Sequence, residues 1–178
     1  MAGDPSRTAE LESFVAEHGE RLLRVAIFLG GSREAGEDLL QSALERLFRR
    51  WRHVRDAPER YVRKTLVHLA TDGWRRRAVW RGKLGLLHAS TPAFQPDDTD
   101  HVDRRDEIVG LLLRLPVRQR TVIVLRYLEC LTEAETAHVM GCSVGTVKSA
   151  TSRALDRLRE LSFAGTPQDI GSQGASFC

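Results

Sequence analysis

Apolar residues recur at three- and four-residue steps along most of the chain, which predicts helices. A first stripe covers residues 11–29 and ends at Gly30, where glycine can stop a helix. Ser32 can cap a second helix, whose stripe covers residues 40–51. Pro58 suits the first turn of a third. The N-terminal half is therefore predicted to form three helices.

The C-terminal half continues the pattern in shorter segments. Ile108, Leu111, Leu112 and Leu115 predict a short helix that ends at Pro116. Further helices are predicted over residues 120–128, 133–140 and 144–161. No segment shows the strict alternation of apolar and polar residues that is typical of a strand. The predicted fold class is therefore all-α.

The apolar period is lost between these halves. Residues 81–104 contain prolines and aspartates without a consistent stripe, which is typical of a linker. The pattern predicts two small helical domains, residues 8–80 and 105–163, joined by this flexible acidic linker. The Gly- and Ser-rich residues 164–178 are predicted to be a disordered tail.

The charge distribution supports the same division. Residues 1–83 carry 17 basic and 12 acidic side chains, residues 84–107 carry 2 and 6, and residues 108–178 carry 8 and 6. The net charges are therefore +5, −4 and +2. Two basic segments on either side of an acidic one indicate two domains and a linker.

Several protein classes are disfavoured by composition. The three cysteines, Cys130, Cys142 and Cys178, form neither a disulfide framework nor a metal knuckle. No uncharged run is long enough to span a membrane and no signal peptide opens the chain, so a cytoplasmic protein without a membrane span is expected. The sequence contains no GxxxxGK[ST], GxGxxG, HExxH or GxSxG motif. No catalytic site, metal site or cofactor is predicted, and the chain is not expected to be an enzyme.

The most specific local pattern covers residues 132–149. Thr132 precedes Glu135 by three residues, as in a capping box, Gly141 can end the first helix, and Ser143 can cap the next. Helix, tight turn and helix at this spacing are typical of a DNA-reading unit, although an ordinary helical hairpin has the same spacing. The shared core is predicted to include Val139, Val144 and Val147. The positions left for a DNA groove are Gly145, Thr146, Lys148, Ser149, Ser152 and Arg153.

Basic and aromatic residues alternate on the third predicted helix and just after it. Cations can bind a phosphate backbone, and aromatic rings can stack on unpaired bases. A face that binds nucleic acid is one interpretation, and a solvated surface over a packed core is the other. The residues concerned are Arg60, Tyr61, Lys64, Trp74, Arg75, Arg76 and Arg77.

Several short stretches follow one another in a distinctive order. They are Asp38-Leu39-Leu40-Gln41, Tyr61-Val62-Arg63-Lys64-Thr65-Leu66-Val67, Leu115-Pro116 and Gly145-Thr146-Val147-Lys148-Ser149. In order and spacing they resemble the extracytoplasmic-function group of the sigma-70 family, and within it the actinobacterial SigE-like branch. The resemblance matches residues 8–80 to sigma domain two and residues 105–163 to sigma domain four.

The resemblance implies a sigma factor that binds RNA polymerase core and directs promoter recognition and transcription initiation. Its implied partners are the core and promoter DNA, with room for an anti-sigma factor. The implied core-binding residues, which lie off the apolar stripe, are Asp38, Gln41, Ser42 and Glu45. The implied −10 contacts are Arg60, Tyr61, Lys64, His68, Trp74, Arg75, Arg76 and Arg77. The implied −35 contacts are Arg120, Gly145, Thr146, Lys148, Ser149, Ser152 and Arg153.

Three positions depart from the family pattern. His68 stands where the family usually has Asn, and Thr136 stands where it usually has Ile. Ala150 replaces a common Arg or Lys, which predicts the loss of one DNA contact. The alternative function is a stand-alone helix-turn-helix regulator, which usually needs a dimer to read two half-sites.

Overall fold

The computed structural model describes the backbone of residues 5–83 and 103–164 and the side chains of residues 7–73 and 107–162. The described backbone contains seven α-helices and one π-helical turn, and no strand. The all-α prediction is confirmed. Most of the predicted linker, the predicted tail with Cys178, and the side chains of Trp74, Arg75, Arg76 and Arg77 lie outside the described residues.

The helices follow the sequence periodicity. The N-terminal half consists of α1 (Pro5–Gly30), α2 (Arg33–Val54) and α3 (Pro58–Lys83). The C-terminal half consists of α4 (Asp103–Leu113), α5 (Val117–Ile123), α6 (Glu133–Met140) and α7 (Val144–Ala164). A π-helical turn, Val124–Leu128, continues α5, so the helix predicted over residues 120–128 begins earlier and changes its winding.

The first three helices pack as a bundle because each carries one apolar face. Leu22, Leu47 and Leu66, one from each helix, are fully buried. The turn between α1 and α2 is short because the Ser32 hydroxyl accepts a hydrogen bond from the Ala35 amide at 3.1 Å, as predicted for a cap. This bundle holds one face of α2 and one face of α3 towards the outside.

A close contact between α1 and α2 depends on a glycine. Gly36 is buried, and a Cβ atom at this position would lie 2.7 Å from the backbone nitrogen of Ile27. No real side chain tolerates this separation, so the two helix backbones approach each other here more closely than any residue but glycine allows.

The helix-turn-helix half has its own small core. Val122 of α5, Ala137 of α6, and Val147 and Ala150 of α7 pack together. Val139 is also buried, but Val144 is 39% exposed, so its prediction as a core residue is wrong. Val144 is the first residue of α7 and precedes the turn that faces α5 and α6.

The two halves pack against each other along an interface that we call the seam. One apolar cluster includes Leu29 of α1 together with Leu112 of α4 and Leu125 of the π turn. The contact is tight at Gly31, where a Cβ atom would lie 2.3 Å from a methyl carbon of Leu113. Ile108 is 49% exposed because it lines an open apolar groove at the seam.

Candidate polymerase and nucleic-acid interfaces

The helix-turn-helix has the caps that its sequence predicts. The Thr132 hydroxyl accepts a hydrogen bond from the Glu135 amide at 3.2 Å, and the Glu135 carboxylate accepts one from the Thr132 amide at 2.8 Å. Gly141 ends α6 in the left-handed conformation with φ 61° and ψ 43°. These local bonds fix the direction in which α7 leaves the turn.

The N-terminus of α6 carries negative charge towards α3. Hydrogen bonds from the Thr132 hydroxyl and amide hold the pKa of Glu135 below its usual value, and the positive charges of Arg63 and Arg60 contribute further. Glu135 is therefore ionised at neutral pH. The helices α3 and α6 pack against each other, which places Glu135 near the arginines of the basic helix.

The first turns of α7 present a polar surface to solvent. Ser143 caps the helix, since its hydroxyl accepts a hydrogen bond from the Thr146 amide at 3.2 Å. Thr146 is half-exposed; the other α7 positions predicted to contact DNA are all exposed, namely Gly145, Lys148, Ser149, Ser152 and Arg153. The structure therefore brings six of the seven predicted −35 residues together on one helix.

The charged side chains on this surface have weak internal partners. The Lys148 ammonium lies 3.6 Å from the Glu133 carboxylate, and both side chains are solvated. Arg153 donates to the Ser149 carbonyl and hydroxyl at 3.0 and 3.2 Å. An exposed ion pair of this kind contributes little stability, so a phosphate group could replace Glu133 at small cost.

Two positions near the helix-turn-helix differ from what the sequence suggests. Ala150 is 4% exposed and packs into the core, so the interpretation that a DNA contact is lost there is wrong. Arg120 is 7% exposed and lies at the seam, where its guanidinium donates to the Leu29 carbonyl at 2.9 Å. In this arrangement Arg120 is separated from the exposed face of α7.

A basic stripe runs along α3. Arg60, Lys64 and His68 are exposed and follow one another at intervals of four residues, which places them on one helix face. Tyr61 beside them is half-buried and packs against the apolar core. Arg63 is turned towards the seam, and its side chain is only 11% exposed. Cations and a half-buried aromatic side chain thus lie next to each other on α3.

The outer face of α2 carries the residues implied for polymerase binding. Asp38, Gln41 and Glu45 are exposed and Ser42 is half-exposed, while Ala43 and Leu47 on the opposite face are buried. Glu45 has a long ion pair with Arg49 at 3.4 Å on the same helix. A polar helix face with few internal contacts is available for a partner protein.

Family models match both halves of the chain. Residues 14–79 match sigma-70 region 2, and residues 105–158 match sigma-70 region 4. The RNA polymerase sigma-E factor of Streptomyces coelicolor is 37% identical over 155 residues, which cover 85% of each chain. The chain belongs to the extracytoplasmic-function group of the sigma-70 family. It is an RNA polymerase sigma factor similar to the SigE-like branch, which confirms the family and function that the sequence motifs implied.

Further relatives agree with this assignment. The sigma factor SigE of Mycolicibacterium smegmatis is 28% identical over 163 residues, covering 89% of this chain and 63% of the relative. The sigma factor RpoE of Bartonella quintana, solved with the anti-sigma factor NepR, superposes with a TM-score of 0.66 at 25% identity over 87% of this chain and 99% of that one. CnrH, solved with the cytosolic domain of CnrY, has a TM-score of 0.61 at 20% identity over 88% and 89% of the two chains, and supports the fold alone.

The sigma factor has polar contacts at its seam that the sequence pattern does not reveal. Arg21 of α1 and Arg63 of α3 both donate to the carboxylate of Glu129, which directly follows the π turn. These residues are 108 and 66 positions apart in sequence, so no local motif connects them. The one signal that the sequence offers is that an acidic residue, Glu129, stands at the end of an apolar stretch.

No helix in the described ranges is both long and apolar enough to cross a membrane.

Proposed function

We propose that this sigma factor docks on RNA polymerase core through the outer face of α2. The support for this assignment is that Asp38, Gln41 and Glu45 are exposed there with few internal partners, and Ser42 is half-exposed beside them. Catalysis belongs to the core, and the sigma factor supplies promoter recognition without being an enzyme itself. The cytoplasm, where the core transcribes DNA, is its site of action.

The helix α7 reads the −35 element as duplex DNA. The observation that carries this proposal is the capped helix-turn-helix, whose second helix presents exposed Gly145, Lys148, Ser149 and Arg153 near its N-terminus. Polar side chains at a helix N-terminus suit phosphates and base edges in a major groove. Thr146 and Ser152 extend the same surface. Arg120, which the resemblance also assigns to the −35 element, is buried at the seam in this structure.

The helix α3 binds the −10 element after its strands separate. Arg60, Lys64 and His68 follow the phosphate backbone along one face, and Tyr61 offers a ring edge for an unpaired base. The continuation of this surface on Trp74, Arg75, Arg76 and Arg77 rests on the sequence pattern. An anti-sigma factor is a further partner, because the sigma factor RpoE of Bartonella quintana, which has a similar fold, was solved in complex with the anti-sigma factor NepR.

Run-off transcription tests the proposal. The full chain and core polymerase from Streptomyces coelicolor are incubated with genomic fragments, and transcripts are expected only when both proteins are present. A stand-alone regulator would instead bind a promoter duplex by itself and would add no transcript to the core.

Two variants assign the DNA contacts. Lys148→Ala should weaken binding of holoenzyme to a −35 duplex and lower the salt slope by about one unit, because one phosphate contact is lost. It should leave a single-stranded −10 oligonucleotide unaffected. Tyr61→Ala should show the reverse preference. Arg157→Ala is the control, since Arg157 lies later on α7 and pairs with Glu160 at 3.1 Å. Equal losses on both DNA forms would refute this division of labour.

A further inference from the structure

A carboxylate of α6 lies beside the surface of α7 that is assigned to the −35 element. Glu133 is the first residue of α6, and its carboxylate lies 3.6 Å from the ammonium group of Lys148 in α7. The side chains of Lys148 and Glu133 are 65% and 38% exposed. The ion pair therefore connects the two helices of the helix-turn-helix at an edge that faces solvent.

The cap of α6 does not require this carboxylate. Thr132 forms the capping box with Glu135, whose carboxylate accepts hydrogen bonds from the Thr132 amide at 2.8 Å and from the Thr132 hydroxyl at 2.7 Å. Glu135 also supplies a negative charge at the N-terminus of the helix, where the helix dipole favours one. Glu133 takes no part in this cap, and pairs instead with Lys148.

The pair between Glu133 and Lys148 contributes little to folding. In an exposed ion pair, water weakens the attraction and the ordering of two long side chains costs entropy, so such a pair shifts an equilibrium by about fivefold at most. It also differs in position from pairs such as Arg157 and Glu160, which stay within α7. The charge of Glu133 can therefore be removed without unfolding the chain, and its effect on DNA binding can be measured by itself.

Binding of duplex DNA brings a second anion to Lys148. When the second helix of a helix-turn-helix enters the major groove, the first helix crosses the phosphate backbone. The N-terminus of α6 then faces phosphates, and Lys148 lies on the side of α7 that is next to this N-terminus. Lys148 therefore exchanges a carboxylate for a phosphate when the DNA binds.

We propose that Glu133 limits the affinity of the −35 contact by competing with a DNA phosphate for Lys148. The inference rests on the assignment of α7 to the −35 element. A weaker −35 contact makes stable promoter binding depend on the −10 contact as well, because two linked contacts together bind far more tightly than either one alone. Isolated −35 sequences are then bound only weakly.

A double-mutant cycle tests the competition. Wild type, Glu133→Gln, Lys148→Ala and the double variant are each assembled with core polymerase from Streptomyces coelicolor. Fluorescence anisotropy at one fixed low salt concentration measures their affinity for a short duplex that carries the −35 element of a promoter identified by run-off transcription. Glu160→Gln is the control, because it removes the same charge from an ion pair within α7.

Glu133→Gln is expected to tighten duplex binding about two- to fivefold, the range of an exposed ion pair that no longer has to be broken. In the Lys148→Ala background the same change should give a smaller gain, because only repulsion between the carboxylate and the phosphates remains to be relieved. Glu160→Gln should leave the affinity unchanged. Circular dichroism of each free chain reports folding, and Glu133→Ala, which has the higher helix propensity, is a second variant that should behave like Glu133→Gln.

An equal gain in both backgrounds would overturn the competition, since the effect would then be general charge repulsion. A loss of affinity in Lys148→Ala without any gain in Glu133→Gln would also overturn it, and would leave the −35 assignment intact. Failure of that assignment has a different result. Lys148→Ala would then bind the −35 duplex as tightly as the wild type does, which would refute the role of α7 and this inference with it.

Discussion

Replacing Thr136 with Val should stabilise the sigma factor. Thr136 is completely buried in α6, and its hydroxyl has no hydrogen-bond partner among the described residues. A buried polar group without a partner costs about 1–3 kcal/mol, and Val has nearly the volume and helix propensity of Thr. We expect the free energy of unfolding to rise by about 1–2 kcal/mol. The melting temperature should rise by about 2–4 °C for each kcal/mol.

Thr121 provides a matched control in the neighbouring helix. It is also buried, but its hydroxyl donates to the Val117 carbonyl at 2.8 Å. Thr121→Val should therefore lower the free energy of unfolding by about 0.5–1.5 kcal/mol, the net value of a hydrogen bond. Urea denaturation monitored by circular dichroism compares the two variants. If both lost stability equally, the Thr136 hydroxyl would have a partner, and the reasoning from its burial would be refuted.

Two further predictions concern packing and pH. Gly36→Ala should lower the free energy of unfolding by about 1–3 kcal/mol, because its Cβ would meet the Ile27 backbone. Gly110→Ala has open space around the new Cβ and should raise the free energy of unfolding by about 0.5–1 kcal/mol. Urea denaturation measures both variants, and equal effects would contradict the close contact between α1 and α2. Burial would raise the pKa of Glu129, but hydrogen bonds from Arg21 and Arg63 outweigh it and hold that pKa below its ordinary value of 4.5. The difference in free energy of unfolding between the wild type and Glu129→Gln should stay constant above pH 4.5 and disappear as the pH falls through the lowered pKa of Glu129. A difference that is already lost at about pH 6 would contradict this assignment.

Local signals in the sequence predicted the local structure well. Ser32 caps α2, Thr132 and Glu135 form the capping box, and Gly141 takes the left-handed conformation. Each of these features depends on residues within four positions of one another, so the sequence contains all the information needed. The exposed faces of α2 and α7 follow in the same way, because a helix with one apolar stripe leaves the opposite side to solvent.

The sequence pattern is less informative where burial depends on distant residues. Ala150 lies at helical spacing from the buried Val147 and Ala154, and Val122 and Ala137 from two other helices cover that face. Arg120 follows the family pattern for a DNA contact, and in this structure it lies against α1. A periodic pattern gives the face of a helix, and it does not give which element will cover that face.

The position of Glu129 shows how a small change of winding creates the seam. Leu128 is apolar yet 39% exposed, whereas the next residue, the acidic Glu129, is buried. The cause is the π turn, in which the Glu129 amide donates to the Val124 carbonyl at 3.0 Å, five residues back instead of four. The extra residue rotates the chain, so the carboxylate takes the inward position that a leucine would have filled. Arg21 of α1 and Arg63 of α3, in the other half, pair with this buried acid. The winding of five residues thus places a carboxylate of the C-terminal half against two arginines of the N-terminal half, which also pair with Glu59 at 2.5 Å.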